Sequence, residues 1–239
     1  MSESPRVTVV GGGLAGLAAT VALADRGCAV ELLESRRSLG GRTSSFVDSA
    51  TGEVIDNCQH VSLGCCTYLA DFARRTEIAS RFVRHRTLHF RAKDGRAATF
   101  AGRAWLPAPL HLGPALLCLK VLNFGERIGV ARAMLNLARL APGKIDGLCV
   151  SDWLRGQQQS ETAIRHFWEP VLVSALAETL ERSSLAAARK VFVDGFMRHR
   201  HAYEMLVPQI PLGQLYGAEL QPYFTKRGVS VQLGQSVER

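Results

Sequence analysis

The chain has 239 residues, 47% of them hydrophobic and 21% charged, which suits an ordinary globular protein of one large domain or two small ones. Its net charge of +8, with 29 Lys and Arg against 21 Asp and Glu, is spread without any block of five or six like charges. That pattern argues against a nucleic-acid arm and leaves attraction to acidic surfaces, anionic lipid headgroups included, open.

Before the first apolar segment stand only the residues MSESPR, and GGGLAG soon breaks the apolar run, so neither a secretory signal nor a spanning helix is expected. Cys28, Cys58, Cys65, Cys66, Cys118 and Cys149 form no C-x-x-C pair and share no histidine spacing that suits a metal. They are expected to be reduced, with no metal site, in a protein kept in the cytoplasm.

Arg6 to Val10 (RVTVV) reads as a strand, and Leu14 to Arg26 as an Ala/Leu-rich helix stopped by Gly27. Between them Gly11, Gly13 and Gly16 take the G-x-G-x-x-G positions, with Leu14 and Ala15 inside the motif. The first glycine permits the turn, the second lets backbone approach a pyrophosphate, and the third lets helix pack on strand. The helix N-terminus then offers free N–H groups and a positive dipole end to the phosphates. A second strand, Ala29 to Leu33, delivers Glu34, whose carboxylate suits adenosine ribose hydroxyls and repels a 2′-phosphate, which disfavours NADP.

Leu39-Gly40-Gly41-Arg42 follows: two glycines that expose amides to an anion, then a fixed cation for the pyrophosphate or flavin end. GGGLAGLAA, LLE and LGGR together resemble the opening of the amine oxidase and phytoene desaturase superfamily of FAD-dependent oxidoreductases. Ser44 to Val47 and Val54 to Asp56 read as a hairpin leading into Asp56-Asn57-Cys58-Gln59-His60. This stretch resembles the DNGQH segment of the hydroxysqualene dehydroxylases, also called squalene-associated FAD-dependent desaturases. Cys58 stands where that family has glycine, a departure that changes backbone freedom.

Further likeness lies in Leu106 to Leu112, in Phe167-Trp168-Glu169-Pro170, and from Pro211 to Gly228. Nearly the whole chain is covered, and it matches the N-terminal half of such enzymes. The resemblance implies FAD as cofactor, held by Gly11, Gly13, Leu14, Ala15, Gly16, Glu34, Gly40, Gly41, Arg42 and the backbone of Val237. It puts Asp56 and His60 near the flavin, with His60 a candidate to shuttle a proton as a hydroxyl leaves as water. The implied reaction removes a hydroxyl from a C30 isoprenoid to give squalene, in a long apolar channel. A carotenoid desaturase or another amine-oxidase-like flavoenzyme is the alternative within the class. Since the family's C-terminal half has no counterpart in these 239 residues, a truncated, catalytically silent dinucleotide-binding fragment is the alternative outside it.

In the middle of the chain, Leu88 to Ala92 and Arg96 to Phe100 bracket the turn signal Asp94-Gly95. Ala104 to Phe124 is apolar but carries Pro107, Pro109 and Pro114. With Arg127, Arg132 and Arg139 around Ile128, Ala131, Leu135 and Ala138, this region fits either a buried helix or a segment dipping into a bilayer surface, peripheral at the inner face. Ser151, Ser160 and Ser183-Ser184 read as caps of further helices, and Glu169 either faces a substrate channel or is solvated.

The expected fold is therefore α/β: a Rossmann-like FAD-binding βαβ unit with a mostly α-helical substrate domain, an incomplete two-domain amine-oxidase-like fold. Residues 1–80 form the nucleotide part, 81–228 the substrate domain with its hairpin, and 229–239 a strand, Val229 to Leu233, returning to the first. The chain's oligomeric state is open.

Overall fold

The computed structural model describes residues 4–58, 60–92, 95–141, 143, 145 and 147–237. Strand β1 (Arg6–Val10), helix α1 (Leu14–Ala24) and strand β2 (Ala29–Glu34) open the chain as a βαβ unit. Helix α1 ends two residues before the expected point, and Gly27 at φ +82° turns the chain back into β2. A hairpin follows, β3 (Ser45–Val47) against β4 (Val54–Asp56), then β5 (Ser62–Leu63), α2 (Thr67–Arg75) and β6 (Phe82–His85).

The middle of the chain carries the hairpin β7 (Leu88–Arg91) and β8 (Ala97–Phe100), then α3 (Gly113–Leu117) and α4 (Phe124–Arg139). Helices α5 (Val150–Gly156), α6 (Glu161–Ala163), α7 (Glu169–Leu176) and α8 (Leu185–Arg189) complete it. Last come β9 (Met205–Pro208), α9 (Leu212–Leu215), α10 (Gln221–Arg227) and β10 (Ser230–Leu233). The turn residue Asp94 lies outside the described residues; Gly95 has the positive φ, +87°, that the turn needs.

Two compact units result: Met1–Ser62, Cys66–Arg84 and Leu206–Arg239 in the first, Leu63–Cys65 and His85–Met205 in the second. In the first unit β2 is the middle strand of a parallel sheet ordered β1-β2-β10, with Val9 beside Leu32 and Val231 beside Leu32 on the other side. Among the described residues no strand pairs with the far side of β1, and Val10 is 63% exposed. The core of this unit joins Leu17 and Val21 of α1 and Leu32 of β2 to Phe72, Leu215, Tyr223 and Phe224. Residues 206–228, expected with the substrate domain, thus belong to the nucleotide unit, because Leu212, Leu215, Leu220, Tyr223 and Phe224 are buried in one cluster with Leu17 and Val21 of α1.

Asp25, just past α1, ties this packing together. It accepts from Arg75 Nε (2.7 Å) and from the Tyr223 hydroxyl (2.8 Å), and Arg227 lies 2.7 Å away. Burial works to raise the Asp25 carboxyl, but the Tyr223 hydroxyl and the two arginines overcome it and hold its pKa below the usual value.

The second unit has a core of its own. Phe90, Phe100, Phe167, Trp168, Phe192 and Phe196 form a chain of ring contacts, with Trp168 and Phe192 4.7 Å apart. At Trp168-Glu169-Pro170 the helix is not broken: the backbone passes through a π-helical stretch, Ile164–Trp168, and continues as α7 with Pro170 in its first turn. The wider turn lets the consecutive residues Phe167 and Trp168 both face inward. Ser160 and Ser184 cap α6 and α8 as expected, accepting from Ala163 N and Ala187 N. Ser151 does not cap: α5 begins at Val150, behind Cys149, two residues earlier than a cap at Ser151 requires, and leaves Ser151 in its first turn.

Candidate functional site

The glycine loop is built from three constraints, each set by a different neighbour. Gly11 sits at φ +100°, which a residue with a Cβ rarely adopts. A Cβ on Gly16 would lie 1.8 Å from the Gly11 carbonyl oxygen, so helix and turn can close only around hydrogen. Gly13 is different: its φ is an ordinary −73°, and a Cβ there would meet no protein atom within 4 Å. Nothing among the described residues demands glycine at 13, whereas a ligand seated against the loop would. Helix α1 starts here with no side-chain cap and no acid in its first turn, so the amides at Leu14, Ala15 and Gly16 stand at a bare N-terminus.

The second glycine segment docks onto the first. Gly13 and Gly40 form a parallel β-bridge, and Gly40 N donates to Gly12 O at 2.8 Å. Both Gly40 and Gly41 have positive φ, +102° and +62°, and a Cβ on Gly41 would stand 3.1 Å from Gly13 Cα. Thr43 fixes this turn by donating from its hydroxyl (2.6 Å) and amide (3.0 Å) to Gly40 O, and Arg36 Nη1 donates to Gly41 O at 3.3 Å. Arg42 is exposed and, among the described residues, makes no hydrogen bond or ion pair, which leaves its charge available to an anion.

Glu34 lies beneath both loops, 6% exposed. One carboxylate oxygen accepts Gly12 N at 2.6 Å; the other accepts Arg36 N at 2.8 Å and the Ser35 hydroxyl at 3.2 Å. Burial works to raise the carboxyl, but the amides of Arg36 and Gly12 and the Ser35 hydroxyl overcome it and hold the pKa below the usual value. With about four acceptor positions on a carboxylate and three in use, room remains for one more donor. After β10 the chain runs alongside, with Gln235 N on Glu34 O and Gly234 N on Arg36 O, and exposed Val237 follows two residues on.

The structure therefore brings Gly11, Gly13, Leu14, Ala15, Gly16, Glu34, Gly40 and Gly41 into one locality. Asp56 and His60 are engaged elsewhere. Asp56 Oδ1 accepts the Ser45 hydroxyl (2.6 Å) and Leu212 N (2.9 Å), while Gly213 N donates to Ser45 Oγ, so this carboxylate latches the β3–β4 hairpin to the start of α9. His60 folds back on its own loop, Nδ1 lying 2.9 Å from Cys58 O and 3.4 Å from Cys58 Sγ. Glu169 is exposed in the second unit, in a groove of about 530 Å³ shared with Arg165, Pro170, Val173 and Ser174. All five lining residues lie on one helical run, so this is an open surface groove.

Sequence reasoning missed Gly12, Thr43 and Arg36. Gly12 was legible as the middle of a glycine triplet: a Cβ there would meet Leu39 Cδ2 at 2.5 Å and Glu34 Oε2 at 3.1 Å. Thr43 and Arg36 gave no signal, because a hydroxyl or guanidinium binding a neighbouring carbonyl leaves no spacing pattern. Among the described residues no cluster of three His, Cys, Asp or Glu side chains suits a metal, and no helix is long and apolar enough to cross a membrane.

The family model for the NAD(P)-binding Rossmann-like domain matches residues 9–76. Hydroxysqualene dehydroxylase of Sinorhizobium fredii is 26% identical over 235 residues, 98% of this chain and 54% of that protein. Zeta-carotene desaturase of Capsicum annuum is 30% identical over 178 residues, 70% of this chain and 30% of that protein. An oxidoreductase from Methanosarcina mazei has the same fold across 97% of this chain and 52% of its own, with a TM-score of 0.68 at 17% identity. The chain thus spans about half the length, or less, of the curated relatives it matches.

Proposed function

We propose that this chain, a relative of the hydroxysqualene dehydroxylases and zeta-carotene desaturases, is the FAD-holding part of an oxidoreductase that acts on a polyisoprenoid. The observation that carries the cofactor is the bridged pair of glycine loops above Glu34. A nicotinamide dinucleotide needs only the first loop, whereas the second adds Gly40, Gly41 and the uncommitted Arg42 to the same anion-facing surface. Gly11, Gly13 and the α1 N-terminus would take the pyrophosphate, Glu34 a ribose hydroxyl, and the backbone at Val237 the adenine.

Bound flavin would supply the electron-pair transfer itself. The chain's own contribution is to place it, exclude water and manage one proton. His60 is assigned the proton that leaves with the hydroxyl as water, and Asp56 acts as a positioning residue that holds the hairpin leading to His60. The substrate most in keeping with the relatives is a hydroxylated C30 isoprenoid, because the match to hydroxysqualene dehydroxylase runs through 98% of the chain. A carotene is the alternative substrate. Such substrates partition into lipid, so the reading places the protein at the inner face of a membrane.

A second reading, a catalytically silent dinucleotide-binding fragment, is favoured by the unpaired side of β1. Titration of the purified chain with FAD, with NAD and NADP as controls, separates the two. Stoichiometric FAD uptake with a shifted flavin spectrum supports the first, and Glu34→Ala should then weaken it by about tenfold or more. Folded chain that takes up no flavin, or that prefers NADP, would overturn it. The substrate is tested by incubating reduced holoprotein with hydroxysqualene: squalene formation is expected, and consumption of carotene alone would transfer the assignment to the desaturases.

A further inference from the structure

Helix α4 carries apolar side chains on both of its faces. At about 100° per residue, Val130, Ala133, Met134 and Leu137 fall on one arc, and all four are buried. On the opposite arc Phe124, Ile128 and Leu135 stand within about 40° of one another. They are 69%, 47% and 45% exposed. Exposed Arg132 and Arg139 border this stripe on one side. No acidic side chain shares the arc, for Glu126, the only acid of α4, is turned away into the capping box with Asn123 and accepts the Ser160 hydroxyl at 2.8 Å.

The approach to the helix has the same character. Arg127 straps the preceding turn down by donating to the carbonyls of Leu117 (2.7 Å), Leu119 (3.1 Å) and Leu122 (2.9 Å). This fixes exposed Leu117 and Lys120 beside the start of α4. A helix that only packs on a core turns polar residues outward once its inner face is satisfied. Here the outward face is apolar along one margin and purely cationic along the other. An apolar protein surface would leave the arginines unmatched, whereas a lipid interface offers acyl chains and anionic phosphates side by side. Sixteen residues make a helix about 24 Å long with a charged flank, which suits lying in the interface plane.

We propose that the outer face of α4 seats on an anionic lipid surface, with Phe124, Ile128 and Leu135 entering the acyl boundary and Arg132 and Arg139 meeting headgroup phosphates. The proposal rests on the polyisoprenoid reading for its purpose, and names the surface through which the chain reaches a substrate dissolved in lipid. Its test needs neither flavin nor substrate: the folded chain is sedimented with vesicles of phosphatidylcholine alone and of phosphatidylcholine mixed with phosphatidylglycerol.

Binding to the mixed vesicles, much weaker binding to neutral ones and release by high salt are expected. The double variant Arg132→Gln/Arg139→Gln should bind the anionic vesicles about ten- to thirty-fold more weakly, and Phe124→Ser/Ile128→Ser should lose binding at least as far. Both pairs are surface changes, so unchanged circular dichroism is expected alongside. Failure of the folded chain to sediment with anionic vesicles, binding that ignores both double variants, or self-association abolished by the Phe124 and Ile128 changes would each overturn the proposal. The FAD titration is read separately, so loss of one leaves the other standing.

Discussion

The two units of this chain are held together by different physics. In the nucleotide unit the decisive contacts are made by backbone groups: the Gly13–Gly40 bridge, Gly40 N on Gly12 O, and the Gly12 amide on the Glu34 carboxylate. The second unit is ordered by side-chain volume, through the rings around Trp168 and Phe192. Backbone order leaves no room for an added atom at Gly12, Gly16 or Gly40, whereas volume order tolerates no missing one. The units should accordingly fail under opposite kinds of substitution.

Removing volume gives the largest expected effect. Trp168→Ala empties the centre of the second core and strips the hydrogen bond from Nε1 to Gln159, at a cost of about 3–5 kcal/mol. Pulsed proteolysis should show cleavage sites opening within residues 85–205 while those of the first unit keep their protection. If both units open together, the two are not held by separate sets of contacts. Adding one atom comes next: Gly16→Ala drives a Cβ toward Gly11 O and should cost about 3 kcal/mol, with loss of FAD uptake. The same change at Gly13 meets open space, so Gly13→Ala should leave the melting temperature almost unchanged and weaken only flavin binding.

Smaller effects come from titration. Asp25→Ala removes the shared acceptor of Arg75, Arg227 and Tyr223, and should cost about 1–3 kcal/mol in urea unfolding at neutral pH. Because the folded pKa of Asp25 is depressed, its contribution is present above the unfolded value and disappears as pH falls below about 4. Tyr223, pushed up to about 12 by burial and by its bond to Asp25, stays a donor until strongly alkaline pH. The smallest effect concerns the second unit. His111 is 1% exposed, packs on Tyr203, and brings neither ring nitrogen into hydrogen-bond geometry with a described residue.

Burial first, then the charges of Arg200, His201 and His199, lower the His111 pKa against partial opposition from the Pro109 carbonyl. An unfolded histidine takes up its proton near pH 6.5, where the folded one does not. Stability should therefore fall by about 1 kcal/mol per pH unit as the pH drops from about 6.5 toward the folded value. His111→Phe should flatten that slope, measured as the urea midpoint between pH 7 and pH 5.

The same contrast explains what could be read from the sequence. Glycines that serve backbone geometry leave a spaced motif, so β1, α1, β2, Glu34 and the LGGR segment were legible, with strand ends displaced by a residue at most. The hairpins declared themselves by turn residues and alternation. Residues 206–228 were assigned to the other unit because nothing in Leu212, Leu215 and Tyr223 says which helix they will cover. The latch role of Asp56 was equally hidden, since its partners Ser45 and Leu212 are remote in sequence. Ser151 was misread as a cap because a serine in the first turn and one just before it look alike in a string.

The π-helical stretch Ile164–Trp168 amounts to a phase shift written into the second unit. A wider turn delays the helix, so everything downstream is rotated relative to an uninterrupted α-helix. The wide turn takes up about one extra residue, so deleting one there, such as exposed Arg165, would restore regular α-helical hydrogen bonding while leaving α7 close to its present orientation. Buried Leu172 would keep its inward direction, whereas a residue deleted from the regular part of α7 would turn everything beyond it by about 100°. The stretch is thus the place along this helix where chain length can change by one residue without re-aiming the rest, and a deletion there should be better tolerated than a deletion within α7.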